Sequence, residues 1–139
     1  MIARDLMTAN PVTVDPKASI ADAWDLMREL EIRHVPVVQD GALVGMLSER
    51  DLGTLDIGRV LALEGASAAR AELARPVIES MSADVISVHP ETEVADVIGL
   101  LLEGRVGALP VIRPDTREVL GIISYVDILR ALQNLLDKA

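Results

Sequence analysis

Displaced by 74 positions, the chain lands on itself. Met7 meets Met81, Val14 meets Val88 and Pro16 meets Pro90. Ala21-Asp22 meets Ala95-Asp96, Leu26 meets Leu100, Glu29 meets Glu103, and Pro36-Val37 meets Pro110-Val111. A two-residue insertion around Arg113 to Glu118 then changes the displacement to 76. Beyond it Gly45 meets Gly121, Ser48 meets Ser124 and Asp51 meets Asp127. A fixed period of this length marks a duplicated structural unit. A unit of about fifty residues is too small to hold a stable core alone, so two are expected to pack together.

Both copies read alike. A short helical turn (Ala3 to Met7; Val77 to Met81) leads to a strand (Val12 to Val14; Val85 to Val88). Ser19 and Thr92 are the candidate N-caps of the next helix. In the first copy Ile20, Ala23, Trp24, Met27 and Leu30 recur at helical spacing, and in the second Val94, Val97, Ile98, Leu101 and Leu102 do so. Two strands follow, Val35 to Val38 with Leu43 to Leu47, and Leu109 to Ile112 with Val119 to Ile123. Asp40-Gly41 and Pro114-Asp115 are the turns between them. A last helix begins at Ser48 or Ser124. Gly53 to Arg75, rich in Ala, Leu, Arg and Glu, reads as a helical connection. The expected fold is α+β, a repeated β-α-β-β-α unit packed about a pseudo-two-fold axis, with two related clefts between the halves. The expected division is 1–64 for the first repeat, 65–76 for the connection and 77–139 for the second.

Composition narrows the function. Thirteen Lys and Arg against 22 Asp and Glu give a net charge of −9, the reverse of a general nucleic-acid binder. A local cationic pocket for a small anion is still allowed, because distant charges are screened. There is no cysteine and there are two histidines, His34 and His89. Thiol chemistry is excluded, and a metal site would need oxygen ligands. No apolar run approaches the roughly 20 residues that span a bilayer, and no secretory leader is evident. The expectation is a soluble cytoplasmic protein without nucleic-acid or membrane partners. With no Phe, and Trp24 and Tyr125 as the only aromatics, the core is aliphatic. Half the residues are hydrophobic, which suits a homodimer that hides further surface.

The repeat ends twice in G-h-h-S-x-x-D, with h apolar: Gly45-Met46-Leu47-Ser48-Glu49-Arg50-Asp51 and Gly121-Ile122-Ile123-Ser124-Tyr125-Val126-Asp127. One reading is purely structural: Ser caps the helix and Asp closes a capping box. The other is functional. A helix start offers free N–H groups to an anion, a serine hydroxyl can donate to phosphate or ribose, and a carboxylate can accept from two ribose hydroxyls. Duplication copies a cap as readily as a site, so both readings stand.

These segments, together with Asp5-Leu6-Met7-Thr8, Val35-Pro36-Val37-Val38 and Leu109-Pro110-Val111-Ile112, resemble a CBS-domain pair (a Bateman module) over about Ala3 to Leu132. The resemblance implies a regulatory module, not an enzyme, binding an adenosine-containing ligand: AMP, ADP, ATP, S-adenosylmethionine or NAD, with or without Mg. No cofactor is required. It implies that Asp51 accepts from ribose, with Ser48 beside it and Ser82 and Ser87 from the other copy. The mirror site takes Asp127 and Ser124, with Thr8 and Thr13. No nucleophile triad, Walker loop or paired-carboxylate metal cluster argues for turnover.

The two sites are not equivalent in charge. Arg33-His34 precedes Val35-Pro36 where the second copy has Gly107-Ala108, and Arg50 stands where the second copy has Val126. Arg33, His34 and Arg50 form the best cationic cluster, so the Asp51 site is expected to take a phosphate and the Asp127 site to be weaker or to prefer a less charged ligand. Plainer readings stand beside these. Arg33 can pair with Glu29 or Glu31, His34 can be a rim residue and His89 a turn residue. Tyr125 either stacks on a base or faces solvent, and Trp24 belongs to the core or a dimer interface. Because the repeat pair uses almost every residue, output is expected through dimer geometry or an unknown partner protein. The competing function is a ligand-independent homodimeric interaction module.

Overall fold

The structure, a computed structural model, describes residues 1–138. Its elements run α1 (Ala3–Leu6), β1 (Thr8–Ala9), α2 (Ile20–Leu30), β2 (His34–Gln39), β3 (Ala42–Ser48), α3 (Glu49–Gly53), α4 (Ile57–Glu64), α5 (Ala66–Leu73), a 3-10 turn at Val77–Glu79, α6 (Val94–Gly104), β4 (Ala108–Ile112), β5 (Val119–Ser124) and α7 (Tyr125–Asp137). The α+β class is that expected, and an α-β-β-α order recurs in both copies (α2, β2, β3, α3 and α6, β4, β5, α7). Among the described residues no helix is long and apolar enough to cross a membrane.

Two compact units divide the chain. The first-copy unit holds Val12–Gln39 and Val44–Asp84; the second-copy unit holds Met1–Pro11, Asp40–Leu43 and the chain from Val85 onward. Each repeat's lead-in therefore belongs to the unit of the other repeat. The two cores show it residue by residue. Ala23, Met27, Val35, Val37, Leu47 and Val77 are buried together in one. Their counterparts Val97, Leu101, Leu109, Val111, Ile123 and Ala3 are buried together in the other. Val77 comes from the second lead-in and Ala3 from the first. Main-chain bonds fix both: Val77 N donates to Ala18 O at 2.8 Å, and Ala3 N donates to Thr92 O at 2.8 Å.

The sheets follow the same exchange. β4 and β5 pair antiparallel, and β1 joins β5 with Thr8 opposite Ile122. β2 pairs with β3. The turn between them has Asp40 at φ 52° and Gly41 at φ 80°, the two positive values a tight hairpin needs. The expected strands at Val12 to Val14 and Val85 to Val88 shrink to single parallel bridges, Val14 to Val37 and Val88 to Val111. Only the inward valine of each segment meets a neighbour.

Helix ends also depart from expectation. Ser19 caps α2 by accepting from Asp22 N at 3.0 Å. Thr92 does not cap α6; Glu93 holds that position without a side-chain cap. Thr92 Oγ1 instead accepts from His89 N at 3.0 Å, inside the preceding turn, which places His89 as a turn residue. The last helix of the repeat is continuous in α7 but broken in the first copy, where Asp56 takes φ 46° and caps α4. The connecting segment is helical, α4 and α5 meeting at Gly65 with φ 95°.

Candidate functional site

β3 ends at Ser48, and the chain turns there into α3. Ser48 Oγ accepts from Asp51 N at 3.1 Å, and Asp51 Oδ2 accepts from Ser48 N at 2.8 Å. The capping box is complete. It consumes one carboxylate oxygen and leaves Asp51 Oδ1 without a hydrogen bond among the described residues. Because its partner N–H is fixed in the strand, the carboxylate is held in one orientation.

Around this box lie the cations. Arg33 O accepts from Glu49 N at 2.8 Å, which ties the start of β2 to the start of α3. Arg33 Nε stands 3.7 Å from Glu49 Oε2, with both side chains well exposed. The partner is thus Glu49, not Glu29 or Glu31, and an exposed pair at this distance is weak enough to be released for a ligand phosphate. His34 is half-buried. Burial holds its pKa below the ordinary 6.5, and Arg33 adds to that, while Asp51 and Glu49 pull the other way without reversing it. Near neutral pH the ring is therefore uncharged. Arg50 is exposed on the first turn of α3.

The second copy repeats the box with a difference. Asp127 Oδ2 accepts from Ser124 N at 2.9 Å and lies 3.2 Å from Ser124 Oγ. Its other oxygen, Oδ1, faces Arg130 Nη1 at 3.9 Å. Asp127 is therefore more fully engaged by its own chain than Asp51, whose counterpart of Arg130 is Thr54. Sequence comparison weighed the residues before and at the box and missed this one, three residues further along the helix.

Strand pairing decides which expected residues come together. Ser82 exchanges two main-chain bonds with Met46, at 3.0 and 2.9 Å, two residues before Ser48 on β3. Thr8 stands opposite Ile122, two residues before Ser124 on β5. Ser82 therefore joins Ser48 and Asp51, and Thr8 joins Ser124 and Asp127, each within one unit. Thr13 belongs to the first-copy unit and Ser87 to the second-copy unit, so each is built into the unit that does not hold the aspartate it was assigned to serve. Tyr125 is exposed at the start of α7, and its hydroxyl donates to Leu101 O at 3.3 Å. Among the described residues no cluster of three or more His, Asp or Glu could hold a metal ion.

Comparison with known proteins bears on the same residues. The CBS domain family matches residues 3–53 and 74–134, two stretches that together contain both boxes and both lead-ins. The CBS domain-containing protein YhcV of Bacillus subtilis is 31% identical over 127 residues, 90% of this chain and 81% of that protein. Of several longer curated relatives the chain spans only 23–43%. The crystal structure of CBSX2 in complex with AMP superposes with a TM-score of 0.80 at 29% identity, covering 96% of this chain and 97% of that one. The CBS domain pair of protein MJ0100, in complex with 5′-methylthioadenosine and S-adenosyl-L-methionine, gives a TM-score of 0.78 at 25% identity over 96% and 97%. With two matched stretches on two repeats whose cores correspond position by position, the chain belongs to the CBS domain family as a tandem pair.

Proposed function

We propose that this chain is a regulatory module, not a catalyst. It binds an adenosine-containing ligand and passes occupancy on through homodimer geometry or a partner protein. The observation that carries this reading is Asp51: a carboxylate fixed by Ser48 N, with its second oxygen free and with Arg33, His34 and Arg50 on the neighbouring segments. A free, oriented carboxylate suits ribose hydroxyls, and the adjacent guanidiniums of Arg33 and Arg50 suit a phosphate, with His34 adding a charge only once it is protonated. Two structural neighbours are complexes with AMP and with S-adenosylmethionine and 5′-methylthioadenosine, which supports the ligand class. AMP, ADP, ATP and S-adenosylmethionine are the ligands to test, and NAD and Mg the additions.

In this reading the two boxes are unequal. The Asp51 box, with Ser82 beside it, takes the phosphate-bearing ligand. The Asp127 box, with Thr8 beside it and its free oxygen turned to Arg130, binds more weakly or takes a less charged nucleoside. Ser87 and Thr13 complete the set of residues to vary. Ligand occupancy acts on a partner only through unequal affinity for two states of the module.

Calorimetric titration tests it. One adenosyl ligand should bind saturably, with binding lost in Asp51→Ala and largely kept in Asp127→Ala while both variants still melt cooperatively. Equal losses would sink the asymmetry. No binding by any of the five would move the reading to a ligand-independent homodimeric interaction module, in which each Ser/Asp box serves only as the cap it already is.

A further inference from the structure

One stripe of α7 carries a polar set that its first-copy counterpart lacks. Asp127, Arg130, Asn134 and Lys138 recur at helical spacing along α7 and its C-cap, and they line a hollow of about 290 Å³ beside α1. Asp5 joins them from α1, and Leu6 and Leu135 add an apolar wall. All of these residues belong to the second-copy unit. In the first copy the places of Arg130, Asn134 and Lys138 are held by Thr54, Gly58 and Ala62. Glu79 stands where Asp5 does, and Arg75 donates to both of its oxygens, at 3.3 and 3.0 Å. That copy builds its core without the set, so the repeat fold does not need it.

The set is anchored but not satisfied. Asp5 Oδ2 accepts from Ile2 N at 2.9 Å, which fixes the carboxylate and leaves Oδ1 without a hydrogen bond among the described residues. Asp127 is held through Oδ2 in the same way. Arg130 makes no hydrogen bond among the described residues, and its 3.9 Å approach to Asp127 is at the outer limit of an ion pair. Lys138 takes part in no ion pair among the described residues. Two fixed carboxylates and two uncommitted cations thus share a hollow at the small end of the range for ligand sites. A phosphate would gain the cations and meet both carboxylates. A group that brings its own ammonium and its own carboxylate complements all four.

We propose that the hollow between α1 and α7 is a site for a zwitterionic α-amino-acid group, its ammonium taken by Asp5 and its carboxylate by Arg130 and Lys138. Asn134 offers a neutral donor and acceptor beside them. Asp127 belongs both to the hollow and to its capping box, so the group can be the amino-acid arm of an adenosyl ligand whose ribose meets Asp127. An arm carboxylate on Arg130 also draws the guanidinium away from Asp127 Oδ1 and frees that oxygen for a ribose hydroxyl. This source rests on the reading above, and it gives the less charged ligand of the Asp127 box a chemical identity: a nucleoside that carries an amino acid in place of phosphate. A free amino acid is the other source of the same chemistry.

Calorimetric titration of the full chain separates the sources. S-adenosylhomocysteine and 5′-methylthioadenosine are both uncharged thioethers of the same nucleoside, and only the first carries an amino acid. It should bind at least about tenfold tighter, the worth of one charge-assisted contact. Arg130→Gln and Asp5→Asn alter exposed positions, and the asparagine keeps an oxygen for Ile2 N. Each should abolish that advantage while 5′-methylthioadenosine binding and cooperative melting are kept; a residue that only supported the fold would weaken both ligands. Free methionine that binds the parent and neither variant, with no binding by either thioether, keeps the hollow and sinks the adenosyl reading. Equal affinity for the two thioethers, with methionine inert, overturns the proposal and leaves the adenosyl reading standing. AMP weakened by Arg130→Gln as much as S-adenosylhomocysteine would give the hollow to phosphate, which also overturns it. No binding by any of the four ligands overturns both.

Discussion

A β-carbon placed on Gly45 would stand 2.5 Å from Met81 Sδ, and one placed on Gly121 would stand 2.5 Å from Met7 Sδ. Each glycine lies on the second strand of its repeat, and each methionine on the lead-in of the other. The carbonyl oxygens of Ser82 and Thr8 close in at 3.0 Å. The glycines are therefore kept by close approach, since neither has a positive φ. They are what lets each lead-in lie flat against the foreign strand.

Gly45→Ala and Gly121→Ala should accordingly both destabilise, by about 1–3 kcal/mol, as overpacking does. A methionine end can swing aside, but a strand carbonyl cannot. Gly121→Ala should cost the more, because Met7 Cγ, nearer the backbone, also stands within 2.9 Å. Urea denaturation midpoints give the comparison. Two wild-type midpoints would show that the lead-ins are not held by this contact.

Periodicity exposed most of the core. Ala23 with Val97 and Met27 with Leu101 recur at helical spacing in both copies, and all four are buried. What stayed hidden was the exchange. Alignment pairs Met7 with Met81 because they are equivalent, and equivalence says nothing about which strand each one touches. The signal was there in the joint duplication of Met and Gly, but reading it needs the three-dimensional neighbour. The capping boxes were legible because a serine and an aspartate three residues apart act locally. The availability of their free oxygens was not, because that depends on Arg130 in one copy and Thr54 in the other. The strands expected at Val12 and Val85 failed for a related reason: β-branched residues favour extended backbone, but pairing needs a partner edge, and only Val14 and Val88 find one.

His34 should make stability depend on pH with a known sign. Its folded pKa lies below the ordinary 6.5, chiefly through burial, so the unfolded chain binds the proton first on acidification. Stability tied to this group is present above 6.5 and is lost as pH falls from there toward the folded pKa. Other groups titrate too, so the quantity to measure is the difference from His34→Ala, which installs the residue the second copy has at Ala108. Between about pH 8 and pH 5 the variant should lose less stability than the parent. A phosphate ligand would raise the ring's pKa, so AMP affinity should climb below pH 6.5 in the parent and not in the variant. Parallel pH curves for the two proteins would remove His34 from both roles.

α6 should gain from the cap its counterpart has. Glu93 sits at the N-cap without a side-chain bond, while Ser19, at the equivalent position of the first copy, accepts from Asp22 N. Ser19→Ala should cost about 1 kcal/mol, and Glu93→Ser should add about 0.5–1 kcal/mol. Thermal unfolding reads both. A destabilised Glu93→Ser would mean that the carboxylate's attraction for the helix start outweighs a hydroxyl cap there.

The exchange of lead-ins predicts where a truncation does its damage. A chain begun at Val12 loses Ala3 and Met7 from the second-copy core, and the Thr8 to Ile122 and Ala9 to Gly121 pairings from its sheet. The first-copy core keeps everything, since Val77 and Met81 are still present. Residues removed from the start of the first repeat should therefore weaken the second. Amide hydrogen exchange locates the effect: Ala108–Ile112 should lose at least about tenfold more protection than His34–Gln39. Equal losses in both strands would mean that the two units open as one cooperative block, and that the lead-ins stabilise the whole chain and not the unit they are built into.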